Sequence, residues 1–187
     1  MTEVRAGMLL VATPELRDPN FMDTVVLLLD VDEGGVLGVV LNRPSPVPVA
    51  DVLDPWAGSV AHPDVLFQGG PVSPEAALAV ALLRDPDDVP VGFRAVEGAS
   101  QLGLLDLDTP PELVEGSLSG LRIFAGYAGW GAGQLAGEIG EGDWYVVEAE
   151  DADPFRDEVT ELWRDVLRRQ PGNLAWHSTR PADPDLN

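Results

Sequence analysis

Few side chains in this sequence are placed to do chemistry, and the pattern around each one narrows what that chemistry would be. There are two histidines, His62 in Ala61-His62-Pro63 and His177 near the C-terminal end. Neither has a partner at a spacing that builds a catalytic pair or a metal site, so both read as exposed loop residues. Gly116-Ser117-Leu118-Ser119-Gly120 looks like a nucleophile elbow, but that turn needs serine at the centre of Gly-x-Ser-x-Gly, and Leu118 holds the centre. Asp30, Asp32 and Gly35 share the first half of a calcium-loop spacing. The residue that should close such a loop with a bidentate glutamate is Leu41, so a hairpin turn explains these residues better. Asp85, Asp87 and Asp88 read as a solvated turn. Cysteine is absent, which removes disulfides, zinc-thiolate sites and a thiol nucleophile.

The sharpest lookalike is Gly131-Ala132-Gly133-Gln134-Leu135-Ala136, which has the Gly-x-Gly-x-x-Ala spacing of a dinucleotide loop. In such a loop, backbone N–H groups at a helix start face the pyrophosphate. Here the helix would run only from about Gln134 to Ile139, interrupted at Gly137 and stopped by Gly140 and Gly142. A crossover between parallel strands needs roughly a dozen residues or more. The sequence therefore predicts neither a nucleotide cofactor nor any other cofactor or metal, and it yields no catalytic residue.

The elements that would position these residues are legible from the apolar pattern. Thr24 to Asp30 and Val36 to Leu41 are short, β-branched and continuously apolar, as strands buried on both faces are. Asp32-Glu33-Gly34-Gly35 between them is turn chemistry, so a β-hairpin is predicted. Arg43 to Pro48 reads as a proline-rich loop, and Val49 to Trp56 as a short helix closed by Pro55 and Gly58. Further strands are predicted at Val65 to Gln68, Leu102 to Leu107, Leu121 to Tyr127 and Asp143 to Glu148. A polar turn runs from Arg84 to Val89, and a short helix lies near Pro111 to Leu118.

The segment after Gly69-Gly70-Pro71 is ambiguous. Ser73-Pro74-Glu75 is a good helix start, yet Leu78, Val80 and Leu82 alternate with alanine as in a strand. The clearest helix is the last. Asp153 caps it, Pro154 takes the first turn, and Phe155, Val159, Leu162, Trp163, Val166 and Leu167 fall on one face. Strands and helices mix without regular alternation, which predicts an α+β fold. The chain reads as one domain over residues 1–187, with a core from about 7 to 179 and a loose tail over 181–187.

Charge excludes more than any motif does. Eleven Lys and Arg stand against thirty-two Asp and Glu, a net charge of −21. Such a surface repels phosphate backbones, and the basic residues gather in no stripe, so direct nucleic-acid binding is excluded on sequence grounds. No apolar run approaches the roughly 20 residues of a membrane helix. The run from Met8 to Ala12 is too short for a signal-peptide core, and Glu3 is wrong for its basic flank. A cytoplasmic location is expected.

One segment stands apart. Gly126-Tyr127-Ala128-Gly129-Trp130-Gly131-Ala132-Gly133-Gln134 combines bare backbone with two large rings and an amide. It reads either as a tight turn with buried rings or as a binding surface.

Together with four other stretches, this segment resembles the AlgH/YqgE-like family of bacterial proteins. The others are Leu10 to Pro14, Asp18 to Phe21 with Thr24-Val25-Val26, Gly38 to Pro44, and Gly69-Gly70-Pro71-Val72. The resemblance runs from about Gly7 to Thr179. It implies an α+β fold with a strongly bent, barrel-like mixed or antiparallel sheet flanked by helices, and a strand after Gly69-Gly70-Pro71-Val72. Two departures weaken any histidine chemistry. The family commonly has a histidine in the hairpin turn, where this chain has Asp32-Glu33, and a leucine-histidine pair after Gly-Gly-Pro-Val, where this chain has apolar residues.

No established activity comes with the resemblance, although some members carry the label of transcriptional regulator. The expected function is that of a non-enzymatic regulatory or interaction domain with a protein partner. Its expected contact residues are Asn42, Arg43, Gly69, Gly70, Tyr127, Trp130 and Gln134. The alternative is a pocket formed by the same residues, in which Arg43 and the glycine N–H groups hold a small anionic ligand for binding or catalysis.

Overall fold

The structure is a computed structural model and describes residues 3–178. Ten strands form one curled sheet: β1 (Leu9–Ala12), β2 (Val25–Asp32), β3 (Gly35–Val40), β4 (Pro44–Pro48), β5 (Val65–Gln68), β6 (Val72–Leu83), β7 (Phe93–Ala95), β8 (Leu102–Leu105), β9 (Leu118–Gly131) and β10 (Trp144–Val147). The order is β10-β1-β2-β3-β9-β6-β8-β7, with β5 against β9 and β4 against β5. Every pairing is antiparallel except β5 with β9. The long β9 joins the two halves: its end pairs with β3 through Ala128–Gly131, its middle with β5 through Phe124 and Ala125, and its other side with β6. The result is the bent, half-barrel α+β fold that the family resemblance implies.

The continuous apolar runs make sense because both faces of the sheet are covered. In β1, Leu9 and Val11 face an inner cluster while Leu10 and Ala12 face an outer one. The inner cluster joins β2, β3, β5 and β9 to helix α3 (Leu162–Arg168) through Leu162, Trp163, Val166 and Leu167. Trp163 also donates its indole N–H to the Ala12 carbonyl at 2.8 Å. One outer cluster packs Trp130 and Trp144 under Leu135 of helix α2 (Gln134–Gly140). The other packs Leu121 and Ile123 under Val49 of helix α1 (Val49–Val52) and Trp56 of the following 3₁₀ turn.

The hairpin of β2 and β3 and the strands β5, β8, β9 and β10 fall where the sequence predicts them, with ends shifted by a few residues. The ambiguous segment after Pro71 is the strand β6, because its alanines pack flat between β8 and β9. The proline-rich loop is also a strand, β4, paired only to β5. Three prolines, which lack a backbone N–H, are tolerated on this edge strand, where no second ladder calls for that donor.

The last helix is shorter than predicted. Asp153–Phe155 is only a 3₁₀ turn, Arg156 is extended, and α3 begins at Leu162. Asp153 does not cap a long helix. It accepts the Glu150 N–H at 2.8 Å and both terminal nitrogens of Arg169. That hydrogen bonding raises the Arg169 pKa, and nearby burial opposes it. Helix α4 (Leu174–His177) packs on α3. The predicted tail at 181–187 lies outside the described residues.

Candidate functional site

The Gly69-Gly70 pair is where two backbones touch. The Gly69 N–H donates to the Ala125 carbonyl and its carbonyl accepts from Val40, both at 2.9 Å, so it bridges β3 and β9. A Cβ at Gly69 would strike the Gly126 carbonyl, and one at Gly70 would strike the Tyr127 carbonyl. Gly126 has a φ of +75°, which bends β9 at this contact.

Asn42 and Arg43 fasten the neighbouring loop. The Asn42 Oδ1 accepts the Val25 N–H at 3.0 Å, and its amide donates to the Asp23 carbonyl at 2.9 Å. Arg43 donates to the carbonyls of Asn20 at 2.6 Å and of Pro19 and Met22 at 3.0 Å. Partial burial lowers its pKa, and Asp23 and Asp18 oppose that shift. Arg43 and Gly70 meet on a cleft of about 210 Å³ with Asn20, Gln68 and Pro71. The guanidinium is already committed to three carbonyls on its loop side.

Trp130 and Gln134 converge on an acid that the sequence reading passed over. Glu138 Oε1 accepts both the Trp130 indole N–H at 3.2 Å and the Trp144 indole N–H at 3.1 Å. Its Oε2 accepts the Gln134 amide at 3.0 Å, while Gln134 Oε1 accepts the Gly131 N–H at 3.0 Å. Phe21 closes the group, with its ring centroid 5.8 Å from both indoles. Glu138 lies four residues beyond Gln134, one helical turn, and that spacing was the available signal. Thus Trp130 and Gln134 anchor α2 to the sheet.

Tyr127 lies elsewhere. With Gly129 and Trp130 it lines an open hollow of about 440 Å³, walled by Val36, Leu37 and Val72 and rimmed by Asp30 and Asp32. Asp32 Oδ1 is fixed by the turn amides of Gly34 at 2.7 Å and Gly35 at 3.1 Å. Gly129 differs from the strand glycines described above. A Cβ there would meet the Tyr127 ring at 3.8 Å and Val72 at 4.0 Å, ordinary contact distances. Packing does not demand glycine at this position, and its bare backbone forms the floor of the hollow.

A second residue outside the predicted set is Arg122, 1% exposed within β9. It donates to the carbonyls of Pro154 at 3.1 Å, Arg156 at 2.9 Å and His62. Its guanidinium carbon stands 4.1 Å from the Phe67 ring centre. Burial pulls its pKa down to about 10, only partly opposed by Asp157. It ties the sheet to the His62 loop and to the chain before α3. The only sequence cue was a lone cation inside an apolar run.

Among the described residues, no group of three or more His, Cys, Asp or Glu could hold a metal ion. No helix among them is long and apolar enough to cross a membrane.

Comparison with known proteins decides the family. The family model described as AlgH-like matches residues 9–175. The chain belongs to the AlgH-like family. A protein of Streptomyces avermitilis is 57% identical over 192 residues, covering 100% of this chain and 98% of the relative. A Mycobacterium leprae protein is 47% identical, covering 98% and 91%. Both are named UPF0301 proteins, a name that states no activity. Among solved structures, a Corynebacterium diphtheriae protein superposes with a TM-score of 0.88 at 35% identity, covering 95% of this chain and 93% of that one. The AlgH protein from Pseudomonas aeruginosa superposes with a TM-score of 0.68 at 26% identity, covering 94% and 93%.

Proposed function

We propose that this protein is a non-enzymatic interaction domain that receives a protein partner in the hollow over Gly129. The observation that carries this reading is Gly129 itself, a strand residue whose missing side chain leaves a concavity that the fold does not require. The hollow has an aromatic wall in Tyr127, apolar sides in Leu37 and Val72, and a charged rim in Asp30 and Asp32. That is the anatomy of a small interface patch, with an apolar centre and a polar edge. Its openness to solvent suits a polypeptide better than a metabolite, which is usually held in a deep, enclosing pocket. The acidic surface opposes nucleic acid as the partner.

Asn42, Arg43, Gly69, Gly70 and Gln134 serve this reading as the frame that holds β3, β9 and α2 in place, while Trp130 both anchors α2 and borders the hollow. The alternative of an anion on Arg43 and the glycine amides has less support, because three carbonyls occupy the guanidinium and Gly69 N–H is used in the sheet.

The test compares the wild-type chain with Gly129→Leu, which fills the hollow. Proteins retained by immobilised wild type and lost from an equally stable Gly129→Leu support the proposal. Unchanged retention overturns it. So does a metabolite that raises the melting temperature of both forms equally, because a ligand of the folded state must then bind elsewhere.

A further inference from the structure

We infer that the occupant of the hollow is an extended partner segment bearing lysine or arginine; this rests on the hollow being the binding surface. The concavity does not end at Tyr127. A second hollow of about 190 Å³, lined by Leu29, Arg94, Val96, Glu97 and Leu104, shares Asp30 with the first. Together they form a trough from the Gly34-Gly35 turn to β7.

The second hollow lies between two strand edges, whereas the first lies over the face of β3 and β9, which pair with each other between β2 and β6. Among the described residues, β7 pairs with β8 alone. The register of β1 with β2 ends at Leu9 and Leu27, with Leu28 held by the backbones of Gly7 and Met8. From Asp30 to Asp32, β2 pairs with β3 and with no other strand among the described residues. Here the curled sheet stops short of closing on itself. An extended chain is the shape that lies along such edges, because its own N–H and C=O groups point sideways at the strand spacing.

Charge selects the side chains. Asp30, Asp32 and Glu97 border the trough against one cation, Arg94. Asp32 is held by the turn with one oxygen. The edge of the Tyr127 ring stands 3.8 Å from where a Gly129 side chain would begin, so the aliphatic stem of a lysine or arginine seated there packs against it. The net charge of −21 adds long-range attraction for a basic segment.

The test titrates the ¹⁵N-labelled full chain with a short blocked peptide of alternating lysine and threonine. Controls are its glutamate-for-lysine counterpart and spermidine. Saturable shifts at Asp30, Asp32, Tyr127, Gly129, Arg94 and Ala95 are expected, with no response to the glutamate peptide. Gly129→Val and Asp30→Lys are each expected to weaken binding about tenfold or more without lowering the melting temperature. Glu112→Lys, the same charge change on an exposed turn away from the trough, should change it less than about twofold. Shifts spread over the whole acidic surface, equal loss in Glu112→Lys, or spermidine binding as tightly as the peptide would each overturn the proposal. If Gly129→Leu abolishes partner capture while the lysine peptide gives no shifts, the basic occupant is wrong and the binding surface stands. If capture is unchanged, the surface itself is wrong.

Discussion

Gly129 lies beneath the edge of the Tyr127 ring, close enough that one added methyl would reach ordinary van der Waals contact at 3.8 Å. Gly70 lies against the Tyr127 backbone so closely that no methyl fits, and its φ of +154° disfavours other residues. The two glycines should therefore respond oppositely to substitution. Gly129→Val is expected to leave stability unchanged or raise it by about 0.5–1 kcal/mol, since glycine weakens a strand interior. Gly70→Ala is expected to lower it by about 1–3 kcal/mol through backbone strain. Urea unfolding of both variants checks the contrast.

Arg122 holds three backbone carbonyls from two separate segments, and its Nε has no hydrogen-bond partner among the described residues. Each buried acceptor left unpaired costs about 1–3 kcal/mol, so Arg122→Met is expected to destabilise by about 2–4 kcal/mol despite relieving a buried charge. Arg122→Lys should also destabilise, because one ammonium cannot span His62 and Arg156. Urea midpoints at an unchanged m-value would register both losses.

The sheet's apolar strands were legible in the sequence because continuous Val and Leu runs mark strands covered on both faces, as the inner and outer clusters cover these. The C-terminal helix was overextended because Asp153-Pro154 looks like a helix start, while Asp153 is committed to a distant Arg169 that local spacing does not reveal. The proline-rich β4 was hidden because its only ladder partner is β5, and pairing across a loop leaves no local trace. The family resemblance resolved β6, which alanine content alone could not. At the candidate site, Tyr127 was singled out in the sequence as a contact residue and lines the hollow, but Gly129 was one glycine among several. What separates it from Gly70 is the atoms around an absent Cβ, which belong to tertiary structure. Arg122 and Glu138 were missed for the same reason, since their partners come from remote segments or a helix turn that glycines obscured.

Glu138 gathers two indole N–H groups and one amide on a single half-buried carboxylate. Glu138→Ala leaves both indoles without an acceptor and is expected to cost about 1–3 kcal/mol. Glu138→Gln keeps one acceptor and should cost less. Tryptophan fluorescence offers an independent readout, with a red shift expected for Glu138→Ala as α2 loosens over Trp130 and Trp144.

Asp143 has its pKa raised, first by desolvation and then by Glu141, Glu138 and Glu15. The folded state therefore holds its proton to higher pH than the unfolded chain does. Its favourable contribution is present below the ordinary carboxylate range and is lost as pH rises through the raised value. Asp143→Asn is expected to raise the melting temperature at neutral pH and to give no gain in acid below that range. Thermal melts at both pH values check the sign; a larger gain in acid would reverse it.

The hollow over Gly129 is tested most directly by placing a photocrosslinking amino acid at Tyr127 in cells and, separately, at Val52, an exposed residue on α1 outside the hollow. Irradiation should give a discrete protein adduct from position 127 that disappears when Gly129→Val is added, and none from position 52. No adduct from 127, or the same adduct from 52, would contradict the assignment of this surface as the binding site.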